Sequence, residues 1–174
     1  MFGTLEQVDA DRWRLRFTRH LPHPIDKVWR AVTEPAHLTA WFPCTIDGDR
    51  RAGAALTFRF EGAVDPLAGR MLVFDPPRCW ELEWGGDVLR LELEAEGDGT
   101  RLELTDTITE LGKAARDGAG WHECLALLDH AVAGEAPPFA NGDVWKEVHP
   151  RYQERFGPDA STVGPPAGHP VLDG

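Results

Sequence analysis

Apolar and charged side chains alternate over residues 12 to 17, with Trp13, Leu15 and Phe17 set between Arg12, Arg14 and Arg16, and this period of two predicts a half-buried strand. Pro22, His23 and Pro24 stop it. Ile25, Val28, Trp29 and Val32 then recur at helical spacing behind Pro24, which suits a helix's first turn. Glu34 and Pro35 end that helix, and a further turn or two runs from His37 to Trp41 before Phe42 and Pro43. Period two returns at Leu56, Phe58 and Phe60, at Met71 and Val73, and at Trp80, Leu82 and Trp84. It continues through Leu89, Leu91, Leu93 and Ala95 to Leu102 and Leu104. The breaks fall at Asp65–Pro66, at Asp75 to Pro77, at Gly85–Gly86 and at Gly97 to Gly99, which are turn residues. After Ile108 the period changes again. Ala114, Trp121, Cys124, Leu125, Leu128, Ala131 and Val132 form one apolar stripe, which predicts the longest helix of the chain. Gly134 and Pro137–Pro138 close it, and Val144, Trp145, Val148, Tyr152 and Phe156 suggest another helix with a kink or break at Pro150.

This order predicts an α+β fold in which a curved antiparallel sheet with one dry face is covered by the long C-terminal helix. If the sheet curves far enough, the facing side chains leave a pocket between them. The predicted domain covers residues 1–156. Residues 157–174, rich in Pro and Gly, are expected to form a tail without regular structure.

A chain of 174 residues suits one domain, and folding at that size removes roughly 70% of its surface from water, so the core needs no staples. Cys44, Cys79 and Cys124 are odd in number and far apart, which reads as reduced, buried thiols rather than a disulfide framework. The segment Met1 to Asp11 has no apolar core of a signal peptide, and no stretch approaches the roughly 18 apolar residues of a membrane helix. The expected location is therefore the cytoplasm, with no membrane partner. Net charge is -11, with 29 acids against 18 basic residues, and that balance argues against nucleic acid. Self-association as a homodimer is left open.

Candidate chemistry thins out on inspection. His122 and Glu123 start like a zinc-protease helix, but the second histidine is replaced by Ala126, so no metal is expected. Ser161 is the only serine, no GxSxG elbow exists, and neither GxGxxG nor a phosphate-binding loop is present, so no cofactor is expected either. Cys124 and His122 stand two apart on one helix and do not face each other. Most carboxylates, Glu81, Glu83, Glu92, Glu94 and Glu103 among them, alternate outward on strands. His122 and Asp106 stay as weak catalytic candidates, able to serve as acid or base if they enter a pocket, with a satisfied buried polar group as the ordinary alternative.

Three stretches together resemble the bacterial homologues of the activator of heat-shock protein 90 ATPase, within the START-like or SRPBCC superfamily. The first, Phe17 to Phe42, carries an arginine on the first strand, Pro24, Val28 with Trp29, Thr33 to Pro35, His37 with Leu38, and Trp41. The second is Asp75 to Trp84, entered through Pro76 and Pro77. The third is Gly120, Trp121 and His122. Trp145 to Pro166 looks like a tail found in an actinobacterial-type subset. The resemblance implies a helix-grip fold with a cavity between sheet and C-terminal helix, and ligand binding or cyclase-like chemistry on apolar substrates, without a shared catalytic set. Asp106 departs from the histidine that many relatives carry on the last strand. The eukaryotic co-chaperones of the family add an N-terminal domain, whereas only Met1 to Asp11 precede the first predicted strand.

The leading expectation is a protein that holds an aromatic or lipid-like molecule between walls made by Trp41, Phe58, Phe60, Met71, Trp80, Trp84, Trp121, Leu125 and Leu128. A polyketide cyclase or aromatase-type enzyme, with His122 or Asp106 moving protons in the same cavity, is the alternative. A co-chaperone-like interaction module is the third.

Overall fold

A computed structural model describes residues 1–165. Its strands are β1 (Thr4–Asp9), β2 (Arg12–Leu21), β3 (Thr45–Asp47), β4 (Ala55–Arg59), β5 (Leu67–Asp75), β6 (Cys79–Trp84), β7 (Asp87–Glu96) and β8 (Gly99–Ile108). The helices are α1 (Ile25–Thr33), α2 (Pro35–Leu38), α3 (Ala114–Ala133) and α4 (Asp143–Phe156). All eight strands form one curved antiparallel sheet in the order β1-β2-β8-β7-β6-β5-β4-β3. The α+β architecture predicted from the periodicities, and the helix-grip arrangement that the resemblance implies, are those found.

The dry face follows from the alternation. Leu89, Leu91 and Leu93 on β7 and Leu102 and Leu104 on β8 are buried, and α3 lies over them with Trp121, Leu125, Leu128 and Val132 buried. On the outer face charges pair across strands: Arg16 with Glu103 at 2.5 Å, Arg101 with Glu103 at 2.9 Å, and Arg90 with Glu81 at 3.1 Å. Gly134 closes α3 in the left-handed region (φ 76°), a conformation that costs glycine nothing.

Three features differ from the predicted elements. β1 extends the sheet by a strand beyond β2, and β3 adds a three-residue edge at the other side. α4 continues through Pro150 rather than ending there, although proline has no N–H to offer the Lys146 carbonyl. The chain beyond Gly157 also differs from an unstructured tail, because Pro158–Ala160 form a 3-10 turn with Ala160 buried, and the Val163 N–H donates to the Gly112 carbonyl at 3.0 Å. The remainder of the predicted tail, residues 166–174, lies outside the described residues. Deleting everything from Pro158 onward is expected to cost about 1–2 kcal/mol through the lost burial and that hydrogen bond. A denaturation midpoint identical to that of the full chain would show the docking to be worth nothing.

Cys44, Cys79 and Cys124 are free and buried. Burial pushes the Cys44 thiol up to about 12, the Cys79 thiol up to about 11, and the Cys124 thiol higher still, so none is a thiolate nucleophile near neutral pH. Among the described residues no helix is long and apolar enough to cross a membrane.

Candidate functional site

The residues expected to line a cavity fall into two groups with different work. Trp41 and Trp80 spend their indole N–H groups on the end of α1, donating to the carbonyls of Ala31 (3.0 Å) and Val32 (3.1 Å). The last carbonyls of any helix lack partners within it, so these two tryptophans cap α1 and fix it to the sheet. Met71, Trp80 and Leu82 border an interior hollow of about 10 Å³, too little to hold more than about one water.

The second group is an aromatic cluster. Trp84 meets Phe60 at 5.8 Å between ring centroids, Phe58 at 5.7 Å and Trp121 at 5.6 Å. Phe42 sits at its centre, 5.9 Å from Trp84, 5.7 Å from Trp121 and 6.3 Å from Trp80. These rings occupy the space that the sequence pattern left as an open pocket. Phe42 was not among the expected wall residues, because in the run Trp41-Phe42-Pro43 it looked like a helix end. Leu125 and Leu128 lie fully buried on α3 in the same core.

Asp106 reaches the inner end of this cluster. On β8 it stands in a row across the sheet with Leu15 of β2, Leu89 of β7, Leu82 of β6 and Met71 of β5. It is 2% exposed. Its Oδ2 accepts the indole N–H of Trp121 at 2.8 Å, and its Oδ1 is buried with no hydrogen-bond partner among the described residues. Burial pushes this carboxyl up to about 8, and the carboxylates of Asp117 and Asp87 push the same way against Lys113. The acid is thus neutral at pH 7. Lys113 does not compensate it, since its ammonium pairs with Asp87 and lies 3.9 Å from Asp117, which Arg116 holds at 2.7 Å.

His122, the other candidate, is elsewhere. One residue along α3 from Trp121 the helix has turned by about 100°, so His122 faces α4 and the start of the chain. Its Nδ1 lies 2.9 Å from the Tyr152 hydroxyl, whose oxygen accepts the Gly3 N–H at 2.9 Å, and Phe2 packs 5.0 Å from its ring. Burial, with the charges of Arg19 and the N-terminus, pushes His122 down to about 4, so the neutral ring accepts a hydrogen bond from the Tyr152 hydroxyl. His122 and Asp106 therefore do not share a site. Glu123, the apparent base of the failed zinc motif, accepts the Gly142 N–H at 2.7 Å with the Val144 and Trp145 amides beside it, and so caps α4. Among the described residues no group of three His, Cys, Asp or Glu is placed to hold a metal ion.

A wider cleft of about 300 Å³ opens on the surface where Arg19 to His23 meet Asp129, His130, Ala133 and Glu135. Of its ionisable groups, His20 pairs with Glu96 at 2.7 Å, His130 lies 3.9 Å from Glu135 within the same lining, and Arg19 donates to the Thr18 carbonyl at 2.9 Å.

Residues 22–133 match the family described as activator of Hsp90 ATPase homolog 1-like protein. Similar solved structures include CalU16 from Micromonospora echinospora, with 26% identity, 88% of this chain and 96% of that one covered, and a TM-score of 0.72. EF2215 from Enterococcus faecalis, a conserved protein of unknown function, shares 18% identity over 88% of this chain and 90% of its own, also at 0.72. DynU16, from the dynemicin biosynthetic locus, is 23% identical over 74% of this chain and 49% of its own, at 0.64. No curated protein matches the chain.

Proposed function

The chain belongs to the activator of Hsp90 ATPase homolog 1-like family, and from that premise we propose that it binds a small hydrophobic, aromatic molecule between the sheet and α3. The observation that carries this reading is a continuous line of rings from surface to interior. Half-buried Phe60 stacks on half-buried Trp84, Trp84 meets buried Trp121, and Trp121 holds buried Asp106. A purely structural core gains nothing from ending such a line at an acid with an unpartnered oxygen. In the bound state the Trp84 ring swings outward and the ligand's ring takes its place, so the apolar contacts with Phe42, Phe58 and Trp121 are exchanged rather than lost.

A cyclase-type enzyme acting on an apolar substrate is the second reading, and Asp106 is the observation that favours it, because a neutral acid in a dry site can hand a proton to a reacting oxygen. Conversion of a bound ketone to a product of different mass would separate it from simple binding.

The test is titration with the neutral dye N-phenyl-1-naphthylamine. Wild-type protein is expected to bind it at micromolar Kd, with dye emission rising and Tm increasing by mass action. Trp84→Ala removes the ring that fills the space. It should lower stability by about 1–3 kcal/mol, less than for a fully buried tryptophan, and tighten dye binding roughly tenfold. Absence of binding to both proteins would remove the reading.

A further inference from the structure

The buried carboxyl groups of this protein can be compared one by one. Asp87 accepts from Lys113 and from the Thr109 N–H at 3.4 Å, and Glu123 accepts the Gly142 N–H at 2.7 Å. Each has a structural task that accounts for its burial. Asp106 is as deeply buried as either, yet among the described residues it receives one indole N–H on Oδ2 and nothing on Oδ1. The same-face neighbours of Asp106 along β8 are Leu104 and Ile108, and across the ladders they are Leu15 and Leu89, none of which offers a hydrogen-bonding side chain. A leucine at this position would complete the apolar row without leaving a polar atom unsatisfied, and an unsatisfied buried polar atom is costly enough to call for a use.

The arrangement also fixes which oxygen does what. Trp121 donates, so Oδ2 must be the acceptor and carry a lone pair toward the indole. In the acid form the carbonyl oxygen is the stronger acceptor, which favours the proton on Oδ1, the oxygen with no partner among the described residues, and that hydroxyl is a donor in need of an acceptor. Lys113 favours the ionised form only weakly, because its ammonium is already engaged by Asp87 and lies near Asp117.

We infer that Asp106 donates a hydrogen bond from Oδ1 to a carbonyl oxygen of the molecule bound beside Trp121, so that the ligand class is an aromatic ketone or quinone. This rests on the binding site proposed above and names what that site recognises. Trp121 acts as a positioning residue, because its N–H holds the carboxyl in the orientation that turns the acid hydroxyl away from the indole.

The pair 9-fluorenone and fluorene tests it, since the two share ring size and differ by the carbonyl. Affinities are measured calorimetrically at about pH 6.5 and about pH 9.5, on either side of the ionisation that the donor must not undergo. Wild-type protein is expected to prefer fluorenone roughly tenfold at the lower pH and to lose the preference at the higher one, where a carboxylate would face the carbonyl. Asp106→Asn should keep the preference at both, because the amide oxygen can accept from Trp121 while the NH2 donates to the ketone. Asp106→Leu should bind the two compounds equally. Equal affinities in the wild type would overturn the inference and leave the binding reading standing. A preference that survives in Asp106→Leu, or one that ignores pH in the wild type, would overturn it as well. If neither compound binds any of the three proteins, the binding reading fails and the inference falls with it.

Discussion

Asp106→Asn is expected to stabilise the protein at pH 7.5 by about 3–5 kcal/mol, a gain for a substitution that touches a candidate binding residue. The carboxyl titrates at about 8 in the fold against 3.8 when exposed. Between those values the folded state keeps a proton that the unfolded chain has released. The contribution of Asp106 to folding stability is therefore greatest below about pH 4, falls by about 1.4 kcal/mol for each unit as pH rises, and levels off near pH 8. Asparagine resembles the neutral acid in shape, can still accept from Trp121, and does not titrate, so its advantage should be absent near pH 4 and largest near pH 8. His122 works in the opposite direction over part of this range. Its fold value of about 4, below the ordinary 6.5, means that stability rises with pH between those two points. A wild-type profile alone would mix the two slopes, whereas the difference between variant and wild type cancels the histidine. Urea midpoints across pH 4 to 8 provide the measurement, and a difference that is flat with pH would mean that Asp106 is ionised in the fold.

Tyr152→Ala should act in the other direction, lowering stability by about 3–5 kcal/mol and Tm by roughly 10 °C or more. The ring is fully buried and meets Phe2 at 5.1 Å, Phe17 at 6.5 Å and Phe156 at 5.2 Å, so truncation removes a hub between α4, β2 and the start of the chain. Its hydroxyl also links the Gly3 N–H to His122. Tyr152→Phe keeps the packing and deletes that link, at an expected cost of about 1–3 kcal/mol for the groups left unpaired. Amide exchange should separate the two effects. In the phenylalanine variant protection falls at Gly3 and in β1, while β7 and β8 stay protected. Equal loss across the whole sheet would mean that the hydroxyl has no local role.

The strands and helices that bury one face against a partner on each side were readable from residue order. β6, β7 and β8 are central, so their inward positions must be apolar, and glycine turns at Gly85–Gly86 and Gly97 separate them. β1 escaped notice for the opposite reason. As an edge strand it has one neighbour, and only Leu5 of its six residues is even half-buried, so packing imposes no alternation on it. β3, another edge, shows a single buried residue, Ile46. The aromatic wall was legible as a set of large rings at inward positions, yet their number could not say whether they surround a space or fill it. Ring-to-ring distances around Phe42 and Trp84 depend on how tightly the sheet curves, and that is decided by contacts among all eight strands. His122 and Asp106 looked equivalent along the chain. A single step along α3 separates them, since the rotation of about 100° from Trp121 to His122 turns the first toward Asp106 and the second toward Tyr152.

The bond between Gly3 and Tyr152 joins residues 149 positions apart, at nearly opposite ends of the chain. On a ribosome adding 5 to 20 residues per second, β1 emerges first and its anchor emerges roughly 7–30 s later. The β1–β2 hairpin can pair in that interval, but the opening residues have no surface to bind until α4 has left the exit tunnel. Order of synthesis and order of completion are thus reversed for this pair, since β1 is made well before α4 and the residues leading into it are locked only once α4 is in place. A translational pause ahead of Asp143 would prolong the time that this sheet edge stands unfinished, and with it the window in which a neighbouring nascent chain could pair there.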